Sequence, residues 1–235
     1  TINDFTAGGY AVFTFDYRHY GESAGQPRHL LNVKRQLADW RSALTHVRQE
    51  PRIDRKRLVL WGSSLGGGHA LSIAAQDHEV AAVAAQVPHC NAKASIKNMQ
   101  TKTILRVTAH AFLDAVLALF GGVHTIPMLG EPGELGAMTF PGWKTEGLRL
   151  LPTGSKWVNA LPARSMLSVT RYNPDKTVHQ ITCPVCIHYG RKDRGVPPLS
   201  VEEAARRIPD VEMHPFDGGH FDVYHGQLRR EIART

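Results

Sequence analysis

Arg57-Leu58-Val59-Leu60-Trp61-Gly62-Ser63-Ser64-Leu65-Gly66-Gly67-Gly68-His69-Ala70-Leu71-Ser72-Ile73-Ala74-Ala75 is the stretch that decides the fold of this chain. Its first five residues read as a short buried strand, and the small, apolar residues from Gly67 onward read as a helix. Between them stands Gly62-x-Ser64-x-Gly66. Strand, Gly-x-Ser-x-Gly and helix together describe a nucleophile elbow, a turn too sharp for side chains at its flanks that lifts one hydroxyl out at the top of a sheet. Ser64 fills that position and Ser63 does not, because only Ser64 has a glycine two residues to either side. Any Gly/Ser turn satisfies the bare pattern; the strand before it and the helix after it make it specific.

Upstream, Tyr10-Ala11-Val12-Phe13-Thr14-Phe15-Asp16 is apolar, β-branched and aromatic, which predicts a strand. Ala7-Gly8-Gly9 before it is a breaker that ends a preceding helix. A polar loop with Gly21, Ser23, Gly25 and Pro27 follows, and Val33, Leu37, Trp40, Leu44 and Val47 then mark one apolar helix face before Pro51. Downstream, residues 80–87, 185–189 and 211–216 read as strands, and residues 102–120 and 223–234 as helices. Ser200-Val201-Glu202-Glu203 has the spacing of a capping box and predicts a helix start there, with the helix ending before Pro209. From 89 to 178 helical stretches alternate with breaks such as Gly121-Gly122, Pro132-Gly133 and Pro141-Gly142.

Strands alternating with helices predict an α/β fold, a mostly parallel sheet with helices on both faces. On this reading residues 1–88 and 179–235 are two parts of one core, and 89–178 is an insertion. Sites in such sheets lie at the carboxyl ends of the strands, so the insertion is expected to form a helical lid above Ser64.

Composition narrows the functional classes. A chain of 235 residues with 42% hydrophobic content buries a sizeable core. The net charge of +7 is spread out: Arg52, Arg55, Lys56 and Arg57 precede a strand, and Arg229, Arg230 and Arg234 lie in the last helix. No nucleic-acid motif accompanies them, so a solvated basic surface is expected and a nucleic-acid partner is not. An odd count of three cysteines argues against a disulfide framework and for a reducing, cytoplasmic compartment. Cys183-Pro184-Val185-Cys186 has CxxC spacing but enters an apolar strand, and no second Cys/His pair follows at ligand spacing. Both cysteines read as buried strand residues, and neither a metal nor a cofactor is expected. The longest apolar run, residues 109–120, is short and holds His110 and Asp114, so no membrane partner is expected. The chain opens at Thr1 in helix-like sequence, and its natural N-terminus is expected upstream.

A serine hydroxyl needs an adjacent base, and the base an orienting acid. In elbow-bearing sheets these follow in the order Ser, acid, His. Gly190-Arg191-Lys192-Asp193-Arg194-Gly195-Val196-Pro197 follows a strand directly, which places Asp193 at its carboxyl end. Gly218-Gly219-His220-Phe221 follows the last strand, with glycines that free the loop to present an imidazole. Asp217 is too near His220 in the chain, His214 lies within a strand, and His225 opens the last helix. His89, at the end of the 80–87 strand, is a candidate for substrate contact. With 13 histidines, most are structural or at the surface.

Phe15-Asp16-Tyr17-Arg18-His19-Tyr20-Gly21-Glu22-Ser23 resembles the D-x-R-x-x-G-x-S strand-loop of α/β-hydrolases, and the elbow, the Asp193 loop and Gly219-His220-Phe221 resemble its other landmarks in order. The sequence is most similar to the dienelactone-hydrolase and Xaa-Pro-peptidase-like branch, which includes fungal polyketide acyltransferases and bacterial esterase-like proteins. The resemblance implies a serine hydrolase that cleaves small-molecule carboxylic esters or thioesters through an acyl-enzyme. Ser64, His220 and Asp193 are then its triad, and the Leu65 N–H is an oxyanion donor. Phe140 and Trp143 of the insertion either line an acyl pocket or pack the lid on the sheet. Two alternatives stay open: an acyltransferase serving an alcohol or amine acceptor, and a non-catalytic remnant or binding module on the same scaffold. The family also has strands before the one at Tyr10, a strand between Tyr10–Asp16 and Arg57–Trp61, and a loop carrying the second oxyanion donor. None of these is found in the sequence, so it reads as truncated at the N-terminus, lacking the second donor and weak or inactive as it stands.

Overall fold

The structure, a computed structural model, describes residues 2–232. Arg234, expected in the last helix, lies outside the described residues. In chain order the strands are β1 (Val59–Ser63), β2 (Ala82–Gln86), β3 (Thr125–Ile126), β4 (Leu161–Pro162), β5 (Val185–Gly190) and β6 (Val211–Phe216). The helices are α1 (Ile2–Ala7), α2 (Val33–Gln49), α3 (Leu65–Ala74), α4 (Ala92–Lys97), α5 (Thr101–Ala118), α6 (Trp143–Arg149), α7 (Ser165–Val169), α8 (Pro198–Ala205) and α9 (Gly226–Ile232). Four strands form a parallel sheet in the order β1-β2-β5-β6, with Ser63, Gln86, His188 and His214 in register across it. The expected α/β architecture with a parallel sheet is what forms. No helix among the described residues is long and apolar enough to cross a membrane.

The chain divides into two compact units, one of residues 2–15, 37–91 and 173–232, the other of residues 16–36 and 92–172. In the first unit, alternation along the strands sends Leu60, Val83, Ala85, Val185 and Ile187 to one face, where they pack with Leu44 of α2, Leu71 and Ile73 of α3, and Val201 and Ala204 of α8. Each fully buried Leu or Ile there stabilises the fold by about 1.5–3 kcal/mol. Every residue of α3 from Gly67 to Ala74 is buried, which explains why this helix is built of small side chains.

Three expectations fail locally. Tyr10–Asp16 forms no ladder: it runs irregularly, with Tyr10 and Phe13 exposed. Strand propensity is realised only beside a partner strand, and among the described residues β1 pairs with β2 alone. The segment is held by ring contacts to α2, with Phe15 edge-on to Trp40 at 5.7 Å and Phe13 beside His46 at 5.5 Å. Ser200 does not cap a helix either. Proline at its first position starts α8 two residues earlier, and Ser200 Oγ donates back to the Pro197 carbonyl. Finally, only Cys186 is a strand residue, and it is half-buried; Cys183 sits in a bend before β5.

The second unit has its own apolar cluster of Val107, Ile126, Ala137, Leu161 and Ala163, with β3 and β4 paired antiparallel. Asp114 of α5 is fully buried there. Its Oδ1 accepts from the His124 N–H at 2.7 Å and the Arg164 guanidinium at 2.8 Å, and its Oδ2 from the Arg164 N–H at 2.9 Å. The D-x-R-x-x-G-x-S segment forms a closed turn: Asp16 Oδ2 accepts the Glu22 N–H, and Ser23 Oγ donates to the Asp16 carbonyl. Gly21 is obligatory in it, with φ +48° and a Cβ position only 2.0 Å from the Asp16 carboxylate.

Candidate active site

Ser64 sits between β1 and α3 with φ 55° and ψ −122°, a conformation that costs a non-glycine residue on the order of 1–3 kcal/mol and persists only when its surroundings hold it. Three backbone bonds do so. The Ser64 N–H donates to the Gln86 carbonyl at 2.9 Å, and the Ser64 carbonyl accepts from Gly68 at 3.1 Å and His89 at 2.9 Å. A Cβ on Gly62 would lie 2.2 Å from the Gly66 carbonyl oxygen, and one on Gly67 would lie 3.0 Å from Pro88 Cα. A Cβ on Gly66 would meet nothing within 4 Å. The steric requirement therefore falls on Gly62 and Gly67 and not on Gly66, which corrects the expectation of two excluded flanks.

The loops after β5 and β6 bring the other two groups. They press together so closely that a Cβ on Gly190 would lie 2.4 Å from the Gly218 carbonyl oxygen, and the Lys192 N–H donates to that same carbonyl at 2.9 Å. Asp193 Oδ1 accepts the N–H groups of Gly195 at 2.9 Å and Val196 at 2.8 Å. Its Oδ2 lies 2.6 Å from His220 Nδ1, and His220 Nε2 lies 2.9 Å from Ser64 Oγ. Both side chains of the His–Asp pair are almost wholly shielded from water. One imidazole tautomer serves both contacts: Nδ1–H donates to the carboxylate, and Nε2 accepts the serine proton. Hydrogen bonds thus bring together Ser64, His220 and Asp193, the first two 156 positions apart.

Leu65 opens α3, so its N–H belongs to the first turn, where no helix carbonyl can accept it. His89 follows β2, is buried, and touches the elbow through its own N–H on the Ser64 carbonyl. His69, inside α3, is pushed down to about 3 by burial, with His89 adding to the effect. Phe140 and Trp143 lie in the second unit, both buried, with ring centroids 4.7 Å apart. Sequence reasoning missed Tyr224. Its hydroxyl is hydrogen-bonded to Ser63 Oγ, tying the turn after His220 to the strand that carries Ser64, and burial raises its phenol above the usual range. It also missed a gathering of Cys186, His188 and His214 on β5 and β6. The i, i+2 spacing of Cys186 and His188 placed them on one face; the cross-strand partner is hidden from linear spacing.

A hydrogen-bonded Ser–His–Asp set at the carboxyl ends of a parallel sheet, with the serine on a strained strand-to-helix turn, is the arrangement that marks α/β-hydrolase sites. A family profile described as "Serine aminopeptidase, S33" matches residues 1–227, and the chain belongs to this α/β-hydrolase family. Among curated relatives, the quorum-quenching protein AidA of Acinetobacter baumannii is 35% identical over 231 residues, covering 98% of this chain and 76% of its own length. A polyketide transferase of Aspergillus fumigatus, af380, is 27% identical over 236 residues, covering 98% of this chain and 79% of its own. Among solved structures, DcsB in complex with a substrate analogue superposes with a TM-score of 0.84 at 22% identity, covering 99% of this chain and 81% of that one.

Proposed function

We propose that this chain is a serine hydrolase that cleaves a small carboxylic ester or thioester through an acyl-enzyme. Ser64 Oγ attacks the carbonyl carbon while its proton passes to His220 Nε2. Asp193 holds the imidazole in the required tautomer and stabilises the imidazolium. The Leu65 N–H faces the oxyanion, a contact of the kind worth a hundred- to a thousandfold in rate, on the order of 3–4 kcal/mol. The imidazolium then protonates the leaving alcohol or thiol, and water, deprotonated by the same His220, releases the acid. His89 is assigned to substrate contact at the end of β2, and the free cysteines suit a cytoplasmic setting. The observation that carries this reading is the pair of contacts at 2.9 and 2.6 Å that link Ser64, His220 and Asp193.

Similarity to a protein named as a polyketide transferase favours a second reading, in which an alcohol or amine takes the acyl group in place of water. A fluorophosphonate probe tests the common step: the parent chain is labelled and Ser64→Ala is not. A folded parent chain that resists labelling overturns both readings. Partitioning of an acyl thioester between water and added alcohol then separates hydrolysis from transfer.

A further inference from the structure

We propose that Cys186, His188 and His214, joined by Glu212, form a binding site for one zinc-like divalent cation that ties β5 to β6. Cys186 and His188 stand two residues apart on β5, so both project from the same face. The register sets Glu212 opposite Cys186 and His214 opposite His188, so four ligand-type side chains make a two-by-two block on that face. The other face of the same strands carries Val185, Ile187 and Met213 into the core.

The geometry approaches that of a metal centre. One ligand atom from each of Cys186, His188 and His214 lies within 4.8 Å of the other two, and Cys186 Sγ lies 3.8 Å from His188 Nδ1. Tetrahedral zinc with ordinary bond lengths sets sulfur and nitrogen about 3.6 Å apart and two nitrogens about 3.4 Å apart. Closing the site on an ion of that bond geometry takes side-chain shifts of about an ångström and rotation of at least one of the two imidazoles, whose rings stack with centroids 4.8 Å apart. His214 Nε2 supplies an independent sign. It is shielded from solvent and makes no hydrogen bond, although the Glu212 carboxylate lies 3.0 Å away. A cation seated between that nitrogen and the Glu212 carboxylate would satisfy both, where the carboxylate now meets the ring without hydrogen-bond geometry. Glu212, largely exposed, then turns its carboxylate to the fourth position, and the partial exposure of His214 gives the ion its way in.

One thiolate and two imidazoles select a borderline-soft ion over magnesium or calcium. The ion's role is structural, because none of its ligands belongs to the Ser64 relay. Yet β5 leads into the Asp193 loop and β6 into the His220 loop, so it would staple the two strands that present acid and base.

Cobalt(II) titration of the metal-stripped full chain is the test. One equivalent is expected to produce a thiolate-to-cobalt charge-transfer band with the intense visible bands of four-coordination, and zinc is expected to displace it. Cys186→Ser removes the charge-transfer band, and Glu212→Gln, at an exposed position, weakens binding by at least about tenfold. Zinc also raises the melting temperature of the parent chain. Ser64→Ala keeps all of these responses, so the outcome is independent of the catalytic reading. No charge-transfer band at one equivalent of cobalt overturns the proposal, as does a band that survives Cys186→Ser.

Discussion

Among the described residues each compact unit buries one aspartate, and the two are held in nearly the same way yet end differently. Asp193 accepts two backbone N–H groups on Oδ1, and Asp114 accepts one on each oxygen. What differs is the final donor. Asp114 takes the Arg164 guanidinium, a permanent cation, and the electrostatic chain stops there. Asp193 takes an imidazole whose other nitrogen reaches Ser64, and in the proposed reaction its charge would stabilise the proton that this imidazole takes up. One buried carboxylate is closed by its partner and the other is kept open by it. On the proposed function, the first arrangement serves stability and the second serves chemistry.

Asp193→Asn should break the open arrangement with the largest effect. The amide oxygen still accepts the Gly195 and Val196 N–H groups, so folding is retained. Its NH₂ group, however, donates to His220 Nδ1, forces the wrong tautomer and turns Nε2 into a donor. Turnover of an activated ester should fall by about ten-thousandfold, while the thermal midpoint moves little. A loss of activity matched by a large drop in melting temperature would mean that Asp193 is a structural group like Asp114.

Asp114→Ala should give the opposite pattern. It strands a mostly buried guanidinium and two backbone N–H groups. Removing one partner of such a buried pair costs about 3–5 kcal/mol, or roughly 10 °C in melting temperature for a chain of this size. Fluorophosphonate labelling, measured well below the new midpoint, should keep its rate. Calorimetry and labelling on the same sample decide it, and a labelling rate that collapses while the chain is still folded would erase the distinction.

The two aspartates were not equally legible in the sequence. Asp193 stands in a loop at the end of an apolar strand, where chain order alone suggests a role for it. Asp114 shows in the sequence only as an interruption of an apolar run, because its partners lie 10 and 50 residues further on and no local pattern connects them. The same division runs through the fold. Strands flanked on both sides by neighbours, such as those at 80–87 and 185–189, are readable as short, largely apolar runs, and each forms the ladder that its run predicts. Tyr10–Asp16 has equally strand-like composition and makes no ladder, because pairing is a property of the neighbour and not of the segment. Likewise, Gly-x-Ser-x-Gly identifies Ser64, but which glycine is sterically required emerges only from the closeness of Gly62 to Gly66 and of Gly67 to Pro88.

A third buried polar group sharpens the comparison through its smaller effect. His69 lies in α3 just past the elbow and is almost wholly buried. Burial, reinforced by His89, holds its imidazole neutral down to about pH 3, against an ordinary value of 6.5. Because the folded-state value is the depressed one, the unfolded chain binds the extra proton. The stability that His69 contributes is therefore complete above about pH 6.5 and is lost as pH falls toward 3, at about 1.4 kcal/mol per pH unit. His69→Gln removes that titration. At pH 8 the variant should be the less stable of the two, by the packing it loses; between pH 6 and pH 4 its urea midpoint should fall less steeply than that of the parent. Parallel midpoint curves across that range would show that His69 gains a proton in the folded chain as readily as in the unfolded one. In the proposed reaction the His220 imidazole takes up the Ser64 proton, whereas that of His69 is buried where it stays neutral.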